Sequence, residues 1–312
     1  MKKTTVYWLV RAIIGLLIIG GLVSIASSQD FYKAIQSLNP IYLVAAISVY
    51  PITFILLSER WRSILHHMGI NIQRQKAYQA FVAGVLVSDY TPAKIGDFSR
   101  IFILENTFDR KKVAISVIFD RLFDISTIVV IGICGVVILG IKNWLIFTYF
   151  IILILTLIFI FFVLLILKRT LILQIIQRII PKKIRLIFEE IGNVSWIPLN
   201  IKVIGQGFIL TVIAWLTHAF RIFLIVLATG QSISYILLFF IQPLISALAL
   251  IPISIGGLGL VEGGLTAVLN EGGIPITTAI LIAFLDRGLT MTFHLVIGGQ
   301  YLLRNPINPP SK

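Results

Sequence analysis

Long apolar runs alternate with short basic loops along this chain. Six runs read as full membrane spans, at residues 6–28, 41–58, 113–140, 144–167, 203–228 and 274–303. Each approaches or exceeds the ~20 mainly apolar residues that a helix needs to cross the hydrocarbon core. Two further apolar stretches, 78–104 and 233–270, are broken at Pro92–Gly96 and Pro252–Gly256. Proline removes an amide and clashes with the preceding helical turn, and glycine permits tight backbone turns. Non-helical backbone at membrane depth persists only when buried in protein or lining a wet cavity. Each broken stretch is therefore expected to form a re-entrant hairpin; an interfacial amphipathic helix pair is the alternative. Met1-Lys2-Lys3 before the first run resembles the start of a signal peptide. Val6–Ala26 is long for one, however, and further spans follow, so a retained first helix is expected.

The loops orient these elements. Lys2 and Lys3 precede the first span; Arg60, Arg62, Arg74 and Lys76 follow the second; Arg110, Lys111 and Lys112 precede the third. The largest basic cluster lies in 168–202, and Arg304 and Lys312 follow the last span. The opposite loops hold only Lys33 and Lys142. The positive-inside rule then places both termini in the cytoplasm of an inner- or plasma-membrane protein. Stretch 78–104 must enter and return from the cytoplasmic side, and 233–270 must dip in from outside. Residues 1–140 and 141–312 thus each read as two spans, a hairpin and a span, in opposite orientation. That is an inverted-topology repeat within one integrated membrane domain, an architecture that many transporters build around a site near the midplane. Loop 168–202 alternates apolar and basic residues, as amphipathic helices on an anionic leaflet would; an ordinary positive-inside loop explains it as well.

Composition agrees with this class. Of 312 residues, 58% are hydrophobic and 12% charged, and the mean hydropathy is +1.01. A soluble domain is nearer half apolar and one-quarter charged. The expectation is an all-α polytopic membrane protein with no segment polar and long enough for a separate soluble catalytic domain. The net charge of +13 follows from the loop bias, so nucleic acid is not an expected partner. Cys134 is the sole cysteine, which excludes an intrachain disulfide.

Charge inside the spans is the exception that carries chemistry. Asp120-Arg121 and Asp286-Arg287 recur at matching places, one downstream of each broken stretch. A charge at the bilayer centre costs at least ~2.5–3.5 kcal/mol on insertion scales, so it is rarely idle. Asp124 shares a helical face with Asp120, and Arg221 adds a cation in the fifth span. In the first hairpin Pro92 and Gly96 shape the turn, while Lys94 and Arg100 are cations suited to a phosphate and Asp97 is placed to pair with Arg100. In the second, Gly256, Gly257 and Gly259 permit close backbone approach after Pro252, and Glu262 is the sole ionisable group. Arg121 and Arg287 are its candidate partners. Buried ion pairs that merely dock helices would also account for these charges. No metalloprotease, P-loop or Cys-x-x-Cys pattern is present, and no metal or cofactor is expected. Asp120-x-x-x-Asp124 leaves open a membrane-embedded headgroup transferase.

At these residues a family resemblance emerges. Thr91-Pro92-x-x-x-Gly96-Asp97-x-x-Arg100 with Asp120-Arg121-x-x-Asp124 resembles one signature of the flippase-like membrane domain of lysylphosphatidylglycerol synthases. Pro252-x-Ser254-x-Gly256-Gly257-x-Gly259-x-x-Glu262-Gly263 with Asp286-Arg287 resembles the other. The resemblance covers nearly the whole chain. Asp97 stands where the family often has Glu, and Gly288 where a bulkier residue is common. In bifunctional relatives (multiple peptide resistance factor) this domain is fused to an aminoacyl-transferase that residues 1–312 lack, so the resemblance implies lipid movement between leaflets rather than synthesis. The implied partners are membrane lipids, phospholipid or polyprenyl-phosphate-linked; the oligomeric state, homodimer included, stays open.

Single cysteines on a Cys134→Ala background test the topology. Residues 105–112 and 168–202 should react only from the cytoplasm, and 29–40 and 229–233 only from outside. External labelling of 105–112 would overturn the inverted repeat.

Overall fold

The computed structural model describes residues 3–26, 28–104, 107–139, 156 and 200–304. All regular structure among them is helical, as expected of an all-α polytopic membrane protein. The helices are α1 (Lys3–Ile25), α2 (Ser28–Gln36), α3 (Pro40–His67), α4 (Arg74–Asp89), α5 (Ser99–Leu104) and α6 (Arg110–Leu139), then α7 (Ile201–Ala228), α8 (Tyr235–Ala247), α9 (Leu260–Glu271) and α10 (Ile276–Arg304). The expected span 144–167 and residues 168–199 of the basic loop lie outside the described residues, apart from residue 156.

Local sequence explains the helix ends. Asn39 accepts the Ile41 amide at 3.0 Å and Pro40 occupies the first turn of α3, where its missing N–H costs nothing. Asn200 caps α7 in the same way through the Lys202 amide. α3, α7 and α10 are each long and apolar enough to cross a membrane, with mean hydropathies of 2.1, 2.1 and 1.6. The first apolar run does not continue straight: α1 meets α2 at an angle of 87°. The second overshoots its expected end, because α3 runs on to His67 and takes in Arg60 and Arg62, which loop counting had placed beyond it.

Apolar side chains face both inward and outward, as in a protein whose solvent is lipid. Phe54, Trp61, Leu65, Phe81, Leu104 and Val113 form one buried cluster. Ile222, Ile225, Leu238, Ile245, Leu265 and Ile282 form another. Leu17, Ile41, Ile201 and Leu303 are between 68% and 86% exposed. α3 and α7 make the most extensive helix pair and bring the two parts of the chain together.

Both broken stretches double back. After α4 the chain forms a 3-10 turn at Pro92–Phe98 and then the short α5, which returns along α4. Ser88 donates to Asp97 at 3.2 Å, and farther down Lys76 donates to Thr107 at 3.1 Å, so the register is antiparallel. α8 and α9 pack together across a similar break, with 3-10 turns at Leu248–Leu250 and Ile255–Gly257. The two tips touch. The Gly256 amide donates to the Thr91 carbonyl at 3.3 Å. Gly256 has φ +57°, and a Cβ there would stand 2.0 Å from the Asp89 carbonyl oxygen. A Cβ on Gly96 would lie 2.5 Å from the Val87–Ser88 backbone. Only glycine fits either position.

Gly256→Ala should therefore cost about 2–4 kcal/mol, combining overpacking with a left-handed residue. Gly263→Ala, where a Cβ meets open space in helix α9, should be neutral or stabilising by up to ~1 kcal/mol. Thermal unfolding in detergent distinguishes them, and equal melting temperatures would refute the tip-to-tip contact.

Candidate functional site

Charges gather where the hairpin tips meet the long helices, in two groups. In the first, Asp120 on α6 is fully buried and its two oxygens are held by separate arginines. Arg60 of α3 donates to Oδ1 through Nε at 2.9 Å and Nη2 at 2.6 Å. Arg100 of α5 donates to Oδ2 through Nη1 at 2.9 Å. The same Arg60 reaches Asp124 at 2.6 Å and Thr211 of α7 at 2.8 Å through Nη1. Arg121 approaches Asp97 of the hairpin and Asp124, both at 3.0 Å. Arg100 lies between the rings of Trp61 and Phe81, each 4.8 Å away. Three guanidiniums thus meet three carboxylates, which is what low dielectric demands of buried charge.

The second group repeats this wiring. Asp286 of α10 pairs with Arg221 of α7 at 2.7 Å. Arg287 pairs with Glu262 of α9 at 3.0 Å and donates to the Gly256 carbonyl at 2.9 Å. Glu262 Oε2 accepts the Gly259 amide at 2.6 Å and so caps its own helix. In each case the Asp of the Asp-Arg dipeptide binds an arginine on a long neighbouring helix, α3 or α7. The Arg of the dipeptide binds an acid on its hairpin, Asp97 or Glu262. The second group is less tightly closed. The Arg221–Asp286 and Arg287–Glu262 pairs are close, yet Arg221 Nη1, Asp286 Oδ1, Arg287 Nε and Glu262 Oε1 lack aligned hydrogen-bond partners. Arg221 Nε and Gln242 Oε1 are also buried without partners.

A buried chain links the groups. Asp89, the last residue of α4, bonds His294 Nδ1 at 2.5 Å, and His294 Nε2 bonds the Tyr50 hydroxyl of α3 at 2.8 Å. The Arg221 guanidinium stacks 4.5 Å over the Tyr50 ring. Two cavities adjoin this chain. One, of about 80 Å³, is bordered by Asp89, Arg221, Gln242, Glu262, Asp286 and Arg287. The other, of about 180 Å³, is bordered by Asp97, Arg121 and Asp124 with Thr53 and Trp215. Tyr50, Lys94, His218 and His294 border both. Lys94 has φ +53°, the only positive φ among described residues other than glycine. Such a conformation costs of order 1–3 kcal/mol and tends to persist at sites of function.

Several sequence expectations are redrawn here. Asp97 does not pair its carboxylate with Arg100; Arg100 Nε instead takes the Asp97 backbone carbonyl at 3.1 Å, freeing that carboxylate for Arg121. The partner of Glu262 is Arg287, not Arg121. Arg100 and Asp120 border neither cavity, being occupied with each other. The helix after Gly96 is only the six residues of α5, too short to present a phosphate seat at its N-terminus. Lys94, Asp97, Arg121, Asp124, Arg221, Glu262, Asp286 and Arg287 all border a cavity. Arg60, Asp89, Tyr50, Gln242 and His294 escaped sequence reading. Arg60 was legible as a residue flanked by Trp61 in a run that could continue as helix; His294 lies seven residues, two helical turns, beyond Arg287.

Comparison with known proteins bears on the whole chain. Residues 12–298 match the family described as the lysylphosphatidylglycerol synthase TM region. A UPF0104 membrane protein of Pyrococcus horikoshii is 22% identical over 323 residues, covering 94% of this chain and 96% of its own. A UPF0104 membrane protein of Methanothermobacter thermautotrophicus is 20% identical over 306 residues, covering 88% of each.

Arg60→Ala should destabilise the protein by ~3–5 kcal/mol, because it strands two carboxylates. Arg62→Ala removes a partly exposed i,i+3 pair with Glu59 and should cost at most ~1 kcal/mol. Detergent-solubilised melting curves check this, and equal shifts would contradict the first charge group.

Proposed function

The chain belongs to the lysylphosphatidylglycerol synthase TM region family, whose function is membrane-lipid-related, and we propose that it moves an anionic or zwitterionic lipid between leaflets without altering it. One observation carries this reading: two hairpin tips meet beside cavities whose polar walls come from both parts of the chain. Such walls shelter a headgroup from hydrocarbon while acyl chains stay in lipid, lowering the barrier to crossing. The duplicated wiring of Asp120-Arg121 and Asp286-Arg287 supports an inverted repeat. In that reading the hairpins are re-entrant from opposite faces and both termini are cytoplasmic. Imperfect alignment in the second group supports it as the place where a headgroup competes for donors. Against the headgroup-transferase alternative, Asp120 has both oxygens engaged by arginines and Asp124 shares Arg60 with it.

Purified protein in vesicles should speed exchange of fluorescent phospholipids between leaflets, with lipid mass unchanged. Glu262→Gln keeps the shape and removes the charge. A hydrogen bond between charged groups contributes ~1.5–3 kcal/mol, so this variant should slow exchange by roughly tenfold or more while remaining folded. Lipids that stay in their leaflet, or emerge chemically changed, refute the reading.

A further inference from the structure

The Asp89–His294–Tyr50 chain has no part in the duplicated wiring, yet it borders both cavities. Its three residues come from α4, α10 and α3, and all are at least nine-tenths buried. Building upon the translocase reading, we infer that this chain is a proton-binding site, and that one proton enters the smaller cavity together with one singly charged anionic lipid headgroup.

The argument is one of charge. Around that cavity stand three fixed cations, Lys94, Arg221 and Arg287, and three carboxylates, Asp89, Glu262 and Asp286. With both histidines neutral the wall is balanced. An anionic phosphodiester entering it would leave an uncompensated charge at membrane depth, which costs several kcal/mol. One proton on His294 supplies the missing positive charge. Neutral His294 can donate from Nδ1 to Asp89 and accept at Nε2 from the Tyr50 hydroxyl. Protonation at Nε2 gives an imidazolium that donates to both neighbours, with Tyr50 Oη turning from donor to acceptor. No bond beyond O–H and N–H changes, and the proton leaves by the reverse path.

His218 is the other titratable group at both cavities, and its geometry sets it apart. Its Nε2 lies 3.0 Å from Arg221 Nη2, an obligate donor, so that nitrogen must accept. Protonating it would place two donors face to face. His294 instead faces a carboxylate and a hydroxyl. Elsewhere the walls offer Gln242 from α8, whose Oε1 is buried and unpartnered, and Thr290 from α10; neither titrates.

The test uses the whole protein in vesicles, with a fluorescent phosphatidylglycerol as the anionic probe, a zwitterionic phosphatidylcholine probe beside it, and a pH-sensitive dye in the lumen. Anionic-lipid movement should accelerate as the pH of the face from which the lipid leaves is lowered, by up to about tenfold per unit above the imidazole titration range. The luminal dye should report protons moving with the lipid, and the zwitterionic probe should ignore the gradient. His294→Gln should abolish the pH response and the proton signal, while His218→Gln should retain both. Wild-type movement of anionic lipid that is indifferent to pH, or that carries no protons, overturns the proton site and leaves the translocase reading standing. Absence of movement for every lipid overturns both.

Discussion

Charge taken out of water must find its opposite, and this requirement organises the protein around Asp120. Arg60 arrives from α3 and Arg100 from α5, and each holds one carboxylate oxygen. Arg60 also spans to Asp124 and to Thr211, so one side chain ties α3, α6 and α7 together. Such pairs often contribute little net stability against a well-packed apolar alternative, but losing one partner is severe. Their effect is therefore on specificity: they fix which helix faces which. In a molecule whose exterior is as apolar as its core, packing alone would leave that choice weakly determined.

Backbone geometry supplies what charge cannot. The tips approach so closely that Gly96 and Gly256 have no room for a Cβ. That approach lets Arg287 take the Gly256 carbonyl while holding Glu262, whose other oxygen caps α9. It also lets Asp89, at the end of α4, reach His294 across a separation of 205 residues. Polar groups from distant parts of the chain thereby share walls that no single segment could build.

Much of this was legible in the sequence, and the failures have physical causes. Apolar length and the Pro-x-x-x-Gly breaks marked the helices and the places where the chain doubles back, because both signals are local. The recurrence of Asp-Arg marked the charge groups for the same reason. Arg60 was hidden because loop counting treats every arginine near a span end as wet, whereas α3 continues a further two turns and buries it. Asp97 and Arg100 looked like an i,i+3 pair, but the 3-10 backbone at Pro92–Phe98 turns the Asp97 carbonyl, not its carboxylate, toward Arg100. Tyr50, Asp89 and His294 left no local pattern, since their contact is set by how α3, α4 and α10 pack.

The balance of three guanidiniums against three carboxylates in the first group, and of three cations against three carboxylates around the smaller cavity, has an electrical consequence. A membrane potential does work of ~2.3 kcal/mol on each elementary charge carried through 100 mV. Carrying either set as a whole through that field moves no net charge. Rigid displacement of α10 with its hairpin, or of α6 with its own, would then be nearly free of bias from the membrane voltage. A cell could depolarise or hyperpolarise without driving the empty protein toward one face.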